Sequence, residues 1–451
     1  MSVVAPIAEP EMEKPQSTPS SLNPSDLTPD FSKLEDAPEW FQKRAQTAWE
    51  DFQTLPMPGN RDESWRYSQS KHLALDGLRL APEPTEEEKQ EAIARSRGLE
   101  QVSARLIFLN DRLIFSDTAG LANGVAVIPF AEALRTHGDV LQQYLMRRKA
   151  DFESSKFAAL HLAHVQAGAV ILAPKNAVLK APIEIFHWVT GANSLVFPHT
   201  LIVAGDHAEV TVLDHHASLK DEVAQSIAVA DFVAGNGSHV TYVNSQELSD
   251  SAGALHISST TVARDAQVKA LQLQLGASFA RSESVSDLIG EGGRSDMLGV
   301  SLPFGSQIVD MRTLQNHMAP RTYSDLLYKN ALYDKSKTVF SGLINVSEGA
   351  HYTDAYQKCR NLINSPDSEA VSMPGLEINA DQVKCSHGAT SAPINADELF
   401  YLKARGIPDQ ESRQLIAIGF VEDVISRLGQ EELIASLNQR IEDKFARQVA
   451  A

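Results

Sequence analysis

A cysteine and a histidine lie two residues apart in the segment 379–390, as Cys385 and His387. Side chains alternate along an extended strand, so this spacing puts both of them on one face. A thiolate beside an imidazole suits a soft or borderline metal such as Fe(II) or zinc. Two ligands are too few for a tight site, and a complete site would need ligands from a second chain. From these two residues alone, the favoured interpretation is a small buried cysteine next to a hydrogen-bonded histidine at a strand end.

Other histidines offer weaker candidates for chemistry. His161 and His164 would lie one turn apart on a helix as a possible metal pair, but no third ligand is evident, and a structural or surface role is favoured. The run Asp214-His215-His216 comes at the end of a predicted strand and is interpreted as a solvated turn. The patterns of a P-loop, GxGxxG, HExxH and GxSxG do not occur, so nucleotide hydrolysis by a P-loop is excluded.

The composition narrows the function classes further. The 451 residues include 40 Lys and Arg against 58 Asp and Glu, a net charge of −18. Such an acidic body repels phosphate backbones and anionic lipid, so we expect neither nucleic-acid nor membrane binding. The two cysteines, Cys359 and Cys385, exclude a disulfide scaffold and a self-contained four-cysteine metal site. No signal segment follows Met1 and no apolar run could span a bilayer, so we expect a cytoplasmic protein.

Short strands with alternating side chains dominate residues 151–395, where helical periodicity is scarce. Turn residues recur there at steps of 30, 30, 27, 28, 29 and 32 residues. They are Gly205, Gly235, Asp265, Gly292, Pro320, Gly349 and Asp381. A repeat of short strands and sharp turns at this period is typical of a solenoid with stacked coils, and we predict a β-helix. A large β-sandwich is the alternative, although it does not predict the longer period.

Two regions lie before this core. Residues 1–36 contain many prolines and are predicted to be a disordered tail. Residues 37–150 contain Trp40, Trp49 and Trp65 and are predicted to form a mixed, mainly helical domain. The predicted fold class is therefore mainly β, with a β-helix core flanked by an N-terminal helical domain of α+β character and a C-terminal helical domain.

The C-terminal residues 396–451 are predicted to be helical. Leu415 belongs to one apolar stripe of the longest helix there, and Ile416, Phe420 and Val424 form a second, adjacent stripe. A single buried face needs only one stripe. The four residues are therefore candidates for docking a partner protein. The alternative, which stays open, is a helix wedged between two parts of its own chain.

The stretch NADQVKCSHGAT at 379–390 and the following LFYLKARGI at 399–407 resemble the C-terminal signature of the SufB/SufD family. These proteins are scaffold subunits of the SUF iron–sulfur cluster assembly machine. The segment ESWRYS at 63–68 is similar to an N-terminal motif of the family, and the resemblance spans roughly residues 37–430. SufB-type chains usually carry additional cysteines, including an N-terminal group. This chain has none there, which favours the SufD type.

The resemblance implies a right-handed parallel β-helix between helical domains, in agreement with the repeat. It also implies a complex with a SufB-like subunit and with the ABC-type ATPase SufC, which would dock on the C-terminal helices. His387, with Cys385 as its neighbour, would lie at the SufB interface as a candidate ligand of a nascent, transient iron–sulfur cluster shared by both chains. On this basis the chain is a non-catalytic scaffold that binds no nucleotide, and Cys359 is a packing residue.

Two other functions stay open at this point. Parallel β-helices also host polysaccharide lyases and hydrolases, which use carboxylates clustered on successive coils. The aromatic content of 7 % and the missing signal segment argue against such a secreted enzyme. A homodimeric scaffold that acts without SufB is the second alternative.

Overall fold

The computed structural model describes residues 27–450. Most of the predicted disordered tail, residues 1–26, therefore lies outside the described residues. The rest of it, residues 27–36, packs against the body of the protein, because Leu27 is buried and Phe31–Leu34 form a 3-10 helix. The folded structure thus includes residues 27–36, which were predicted to be disordered.

Helices lie at both ends of the described chain, and strands fill the middle. The α-helices are α1 (Glu39–Thr54), α2 (Glu86–Arg95), α3 (Phe130–Thr136), α4 (Gly138–Tyr144), α5 (Ser155–His164), α6 (Ala396–Ala404), α7 (Asp409–Ile425) and α8 (Glu431–Ala450). The strands before α5 are β1 (Arg79–Leu80), β2 (Ala104–Leu109), β3 (Arg112–Asp117) and β4 (Ala126–Pro129). Within residues 27–450, no helix is both long enough and apolar enough to cross a membrane.

The repeat region contains the remaining strands. They are β5 (Ala167–Ala173), β6 (Ile183–Val189), β7 (Ser194–Val196), β8 (Pro198–Ala204), β9 (Glu209–Ser218), β10 (Ala224–Ala234), β11 (His239–Glu247), β12 (Gly253–Val262), β13 (Gln267–Gln274), β14 (Phe279–Leu288), β15 (Arg294–Ser301), β16 (Ile308–His317), β17 (Tyr323–Leu332), β18 (Lys337–Val346), β19 (Asp354–Ile363), β20 (Glu369–Ile378) and β21 (Lys384–Pro393).

These strands form two sheets in which spatial neighbours are alternate strands of the sequence. Sheet A has the order β20-β18-β16-β14-β12-β10-β8-β5-β4, with β7 beside β10 and β1 beside β7. Sheet B has the order β21-β19-β17-β15-β13-β11-β9-β6-β2-β3. Apart from the antiparallel pairs β4–β5 and β2–β3, the described strands pair in parallel. The predicted fold class is therefore confirmed, as a parallel β-solenoid between helical regions.

The register gives the length of each coil. In sheet B, Glu209 pairs with His239, and the chain of partners continues through Gln267, Arg294, Tyr323, Asp354 and Lys384. The steps of 30, 28, 27, 29, 31 and 30 residues agree with the predicted period. The seven predicted turn residues all lie where a strand of sheet A passes to the next strand of sheet B.

The stacked turns leave little space between coils. Gly292 has a φ of +74°, and a Cβ there would lie 2.2 Å from Oδ1 of Asp265 in the turn of the preceding coil. Glycine adopts this left-handed backbone without strain, and a larger residue there would have to displace the Asp265 side chain. Because the corners are short, most residues of each repeat lie in strands and few lie in loops.

The N-terminal region is joined to both sheets. Its helices α1 and α5 pack against each other, and their apolar side chains share a core with Ile227, Leu255 and Phe279 of sheet A. The hairpin β2–β3 extends sheet B, because β2 pairs in parallel with β6. The first strands of sheet B thus come from the region predicted as the N-terminal domain, while α5 lies within the range predicted as solenoid.

A buried ion cluster fastens the ESWRYS segment to sheet A. Arg281 donates to Glu283, with 2.6 Å between Nε and Oε1, and also to Asp310. The Arg281 guanidinium lies 3.8 Å from the centre of the Trp65 ring, and the Ser68 hydroxyl donates to Asp310. The two motif residues Trp65 and Ser68 therefore form a clamp between the N-terminal region and the solenoid.

Replacing Arg281 with methionine should lower the free energy of unfolding by about 3 kcal/mol or more, because Glu283 would stay buried without its cation. Urea unfolding measures the loss. The matched control is Arg294→Met. Arg294 pairs with Asp296 at 3.1 Å but is 44 % exposed, so its loss should cost about 1 kcal/mol or less. If the free energy of unfolding fell equally in the two variants, the stabilising role of the Arg281 cluster would be wrong.

The C-terminal helices cover the outer face of sheet B. Helix α7 packs on β15 and β17 and buries Val421 and Val424 against them. Lys329 of β17 reaches this helix, with its Nζ 2.8 Å from the Phe420 carbonyl oxygen and 2.9 Å from an Asp423 carboxylate oxygen. Apolar burial and these polar ties hold α7 firmly on the solenoid.

Candidate functional site at the open end of the solenoid

The last coil of the solenoid, which we call the open coil, consists of β20, the turn at 379–383 and β21. Strand β20 has only β18 as a neighbour, and β21 has only β19. All residues of these two strands are half-buried or exposed. An unpaired edge of this kind is a template for pairing with another strand.

Backbone groups of the open coil alternate in direction. The Glu369 amide donates to the Ser336 carbonyl beside β18 at 3.0 Å, and the Lys384 amide donates to the Thr353 carbonyl beside β19 at 2.8 Å. In a parallel ladder, every second residue points its amide and carbonyl to the same side. The even-numbered residues of β20 and the odd-numbered residues of β21 therefore point these groups at the free edge.

Cys385 and His387 lie in β21 with their backbone groups at this free edge. They pair with Ala355 and Gln357 of β19, both of which are fully buried inside the solenoid. The two side chains therefore lie on the inner face at the mouth of the solenoid, on one side of the strand. Cys385 is half-buried against an apolar cluster that includes Ala355, whereas His387 is exposed. His387 is thus open to a docking partner.

The surroundings favour the protonated thiol of Cys385. Burial raises the pKa of this thiol, the Ala355 backbone hydrogen bond opposes the shift, and the nearby Asp354 carboxylate adds to it. A metal would have to displace the thiol proton. Among residues 27–450, no group of three or more His, Cys, Asp or Glu side chains is arranged to hold a metal ion. Cys385 and His387 could therefore form only part of a ligand set.

In the folded chain, Cys385 should react with a maleimide, whereas Cys359 should react only after unfolding. Cys385 is half-buried, whereas Cys359 is fully buried and burial raises its pKa to about 12. Mass spectrometry of the modified chain, in buffer and in denaturant, counts the reacted thiols. The Cys385→Ser variant should stay unmodified in buffer, and modification of its Cys359 there would contradict the packing role.

His161 and His164 have separate partners and form no metal pair. His161 Nδ1 lies 2.8 Å from the Ile227 carbonyl oxygen, and its Nε2 lies 3.1 Å from Nδ1 of His199. His164 Nε2 lies 3.0 Å from the Leu27 carbonyl oxygen, and burial lowers the His164 pKa to about 4. The favoured structural role of both histidines is confirmed.

The interpretation of Asp214-His215-His216 as a solvated turn is wrong. All three residues are buried within β9, which is paired on both sides. Asp214 faces the solenoid interior, where its Oδ2 accepts hydrogen bonds from Thr200 Oγ1 at 2.6 Å and from the Tyr242 hydroxyl at 3.0 Å. The facing strand of the same coil and the next coil thus supply the polar partners that water would supply to a turn.

The predicted docking stripe on α7 is mostly an internal contact. Val424 is fully buried, and Ile416 and Phe420 are half-buried against the apolar core between α7, α8 and sheet B. For these three residues the contacts favour the alternative, a helix packed within its own chain. Leu415 is different, because it is 45 % exposed.

A more exposed apolar surface lies on α6, which buries no residue. Phe400 and Tyr401 of this helix are 73 % and 58 % exposed. Together with Leu415 on the neighbouring α7 they form what we call the C-terminal patch. The sequence motif at 399–407 contains these two aromatics, but apolar periodicity did not select them as contact residues. Large exposed aromatics are typical of protein–protein contact sites.

A column of two carboxylates lies on successive coils of sheet B, where Asp296 pairs with Asp325, and Asp354 of the next coil lies two residues out of register with them. Such a column is what the polysaccharide-enzyme alternative would use. Two of the three are held by the chain's own cations, with 3.1 Å between Arg294 and Asp296 and 2.7 Å between Arg427 and Asp325. Asp296 and Asp325 therefore form ion pairs within the chain, and the column gives no support to the polysaccharide-enzyme alternative.

Two family models match most of the chain. The SufBD core domain of SUF system FeS cluster assembly matches residues 187–420, and the SufBD protein N-terminal region matches residues 33–185. The iron–sulfur cluster assembly protein SufD of Bacillus subtilis is 26 % identical over 434 residues, which cover 92 % of this chain and 96 % of the relative. SufD of Escherichia coli is 28 % identical over 419 residues, covering 88 % and 93 %. An iron–sulfur cluster assembly SufBD family protein of Synechocystis is 27 % identical over 402 residues, covering 86 % and 87 %.

Proposed function

The chain belongs to the SufBD family of the SUF iron–sulfur cluster assembly system, and from this premise we propose that it is a SufD-like, non-catalytic scaffold subunit. In this proposal its open coil pairs with a SufB-like chain, and its C-terminal helices bind a SufC-like ABC ATPase. The nascent iron–sulfur cluster is the cargo of the complex and lies where the two scaffold chains meet.

The single observation that carries the proposal is the unpaired edge of the open coil. Four consecutive odd-numbered residues of β21 offer free amides and carbonyls, and they include Cys385 and His387. A strand of a second solenoid added at this edge would continue sheet B and bury these backbone groups. Both candidate ligands would then lie at the joint between the chains.

The chemistry of the two side chains suits the cargo. Thiolate and imidazole are iron ligands, and the two donors here make an incomplete set that a second chain would complete. His387 is exposed and accessible before pairing. Burial raises the pKa of the Cys385 thiol, so less of it is the oxidation-prone thiolate until a metal displaces the proton.

The C-terminal patch supports the ATPase part of the proposal. Phe400, Tyr401 and Leu415 present apolar surface on helices that belong to the same chain as the candidate ligands. Helix α7 is tied to sheet B through Lys329, so a pull on the helices would move the sheet. Dimerisation of the ATPase on binding ATP would thereby open the joint and expose the ligands to iron and sulfide.

Anaerobic co-purification with SufB-like and SufC-like chains tests the proposal. We expect one complex of the three proteins that contains iron and acid-labile sulfide, while the chain alone contains neither. If the chain purifies as a homodimer that carries a cluster without the SufB-like chain, the homodimeric alternative is correct. If no complex forms at any salt concentration, the proposed partnership is wrong.

A further inference from the structure

Strand β21 is fastened to the solenoid near its start by apolar packing. Cys385 packs against the apolar cluster that includes Ala355. Residues 386–393, which form the rest of the strand, are exposed. Apolar burial therefore cannot fix this longer part of β21, and any fastening beyond the ladder with β19 must be polar.

Asn361 of β19 provides a polar bridge to the open coil from inside the solenoid. Its Nδ2 donates to the Ser391 hydroxyl of β21 at 3.1 Å and to the Ser372 hydroxyl of β20 at 3.2 Å. Asn361 is 4 % exposed and lies in register with Ser391. We call these two hydrogen bonds the Asn361 bridge, because one amide joins both strands of the open coil to the coil next to them.

A column of polar side chains along the inner face of sheet B orients this amide. Asn330 Nδ2 donates to Asn361 Oδ1 at 2.8 Å, and the Ser301 hydroxyl donates to Asn330 Oδ1 at 2.7 Å. Ser301, Asn330 and Asn361 are register partners on successive coils. Because the Asn361 oxygen accepts from Asn330, the Asn361 nitrogen is the atom that faces the open coil.

We propose that the Asn361 bridge makes Asn361 a positioning residue, which fixes where the open coil presents Cys385 and His387. The inference rests on the proposed function, because that function makes these two side chains the candidate ligands. His387 lies between Cys385 and Ser391, so β21 is held on both sides of it while its imidazole stays exposed. A preformed strand binds a partner at a lower entropic cost than a frayed strand that must be ordered first.

Hydrogen exchange of the full chain alone tests the bridge. Gly388 and Thr390 point their amides to β19, as Lys384 does. In Asn361→Leu these two amides should exchange about 30-fold faster, which corresponds to about 2 kcal/mol at about 1.4 kcal/mol per tenfold change. The His387 amide points to the free edge in wild type and in the variant, so its fast exchange is the internal reference.

The Ser372→Ala/Ser391→Ala variant removes the bridge from the other side and leaves the buried asparagine in place. Exchange of the same two amides should again be about 30-fold faster. Combined with Asn361→Leu, the two serine changes should add less than about a threefold effect, because the same hydrogen bonds are already absent. Effects that multiply fully, or unchanged exchange in both variants, would overturn the inference.

The thiol of Cys385 reports the position of a candidate ligand directly. Loosening of β21 uncovers this half-buried side chain, so its rate of reaction with a maleimide should rise about tenfold in Asn361→Leu. Peptide mass spectrometry assigns the label to Cys385. Faster exchange in β21 with an unchanged Cys385 rate would show that the bridge does not position the ligand, and the inference would be wrong.

Asn244→Leu is the matched control. Asn244 is also a buried asparagine, and its Nδ2 donates to Gln272 Oε1 at 2.6 Å, but it lies on β11. Each coil of a solenoid contacts mainly its neighbours, so this change should leave both rates in the open coil within about threefold of wild type. An effect equal to that of Asn361→Leu would mean a global response and would remove the specific role of Asn361.

These readouts involve no iron, no sulfide and no second protein. A negative result therefore removes the positioning role of Asn361 and leaves the proposed function to its own test. A positive result stands even if the SufB-like chain binds elsewhere.

Discussion

A complex made with the His387→Ala chain should assemble normally but should contain almost no iron–sulfur cluster. His387 is exposed at the open coil, and its backbone rather than its imidazole would form the ladder with the partner strand. Alanine keeps the backbone groups and removes the ligand. Size-exclusion chromatography of the three-protein complex measures assembly, and iron and sulfide content after anaerobic reconstitution measures the cluster.

Ser386→Ala is the control for this experiment. Ser386 is the neighbouring residue of the same strand, also exposed, with its side chain on the opposite face. It should leave both assembly and cluster content unchanged. A His387→Ala complex that loads a full cluster at the wild-type rate would show that His387 is not a ligand. Loss of assembly in that variant would point instead to a structural role at the joint.

The double variant Phe400→Ala/Tyr401→Ala should weaken binding of the SufC-like ATPase about 1,000-fold. Truncation of a well-packed interface aromatic costs about 2 kcal/mol, and two such losses give about 4 kcal/mol. Both side chains are exposed in the free chain, so their removal should leave its unfolding midpoint unchanged. Isothermal titration of the purified chain with the ATPase measures the affinity.

Met318→Ala serves as the control for the C-terminal patch. Met318 is 55 % exposed but lies at a turn between β16 and β17, far along the chain from α6. Its loss should not change the affinity for the ATPase. Equal weakening by both variants would mean that the C-terminal patch is not the specific contact surface.

The solenoid could be predicted from the sequence because its turns are local. Gly292 and Asp265 are fixed by the backbone geometry of a tight corner, and such residues leave a repeat that spacing reveals. The shared face of Cys385 and His387 was predictable for the same reason, since it derives from the two-residue period of any strand. The position of β21 as the last strand of its sheet depends on which strands lie beside it in space, and local patterns do not record this.

Features that depend on distant contacts escaped prediction. Asp214 resembles a turn residue by type, yet Tyr242, on the next coil, gives it a buried partner. Val424 and Phe400 are both apolar residues of C-terminal helices, but sheet B covers the first and leaves the second exposed. Apolar periodicity shows that a face is buried, and it does not show whether the chain itself or another protein buries it.

The most direct test of the account is to ask whether a nitrogen of this chain is bonded to the cluster. The chain would be produced with ¹⁵N-histidine and assembled with unlabelled SufB-like and SufC-like partners, and the reduced cluster would be examined by pulsed electron paramagnetic resonance. We expect a ¹⁵N hyperfine coupling that disappears in the His387→Gln variant. A cluster with full iron content and no ¹⁵N coupling would contradict it.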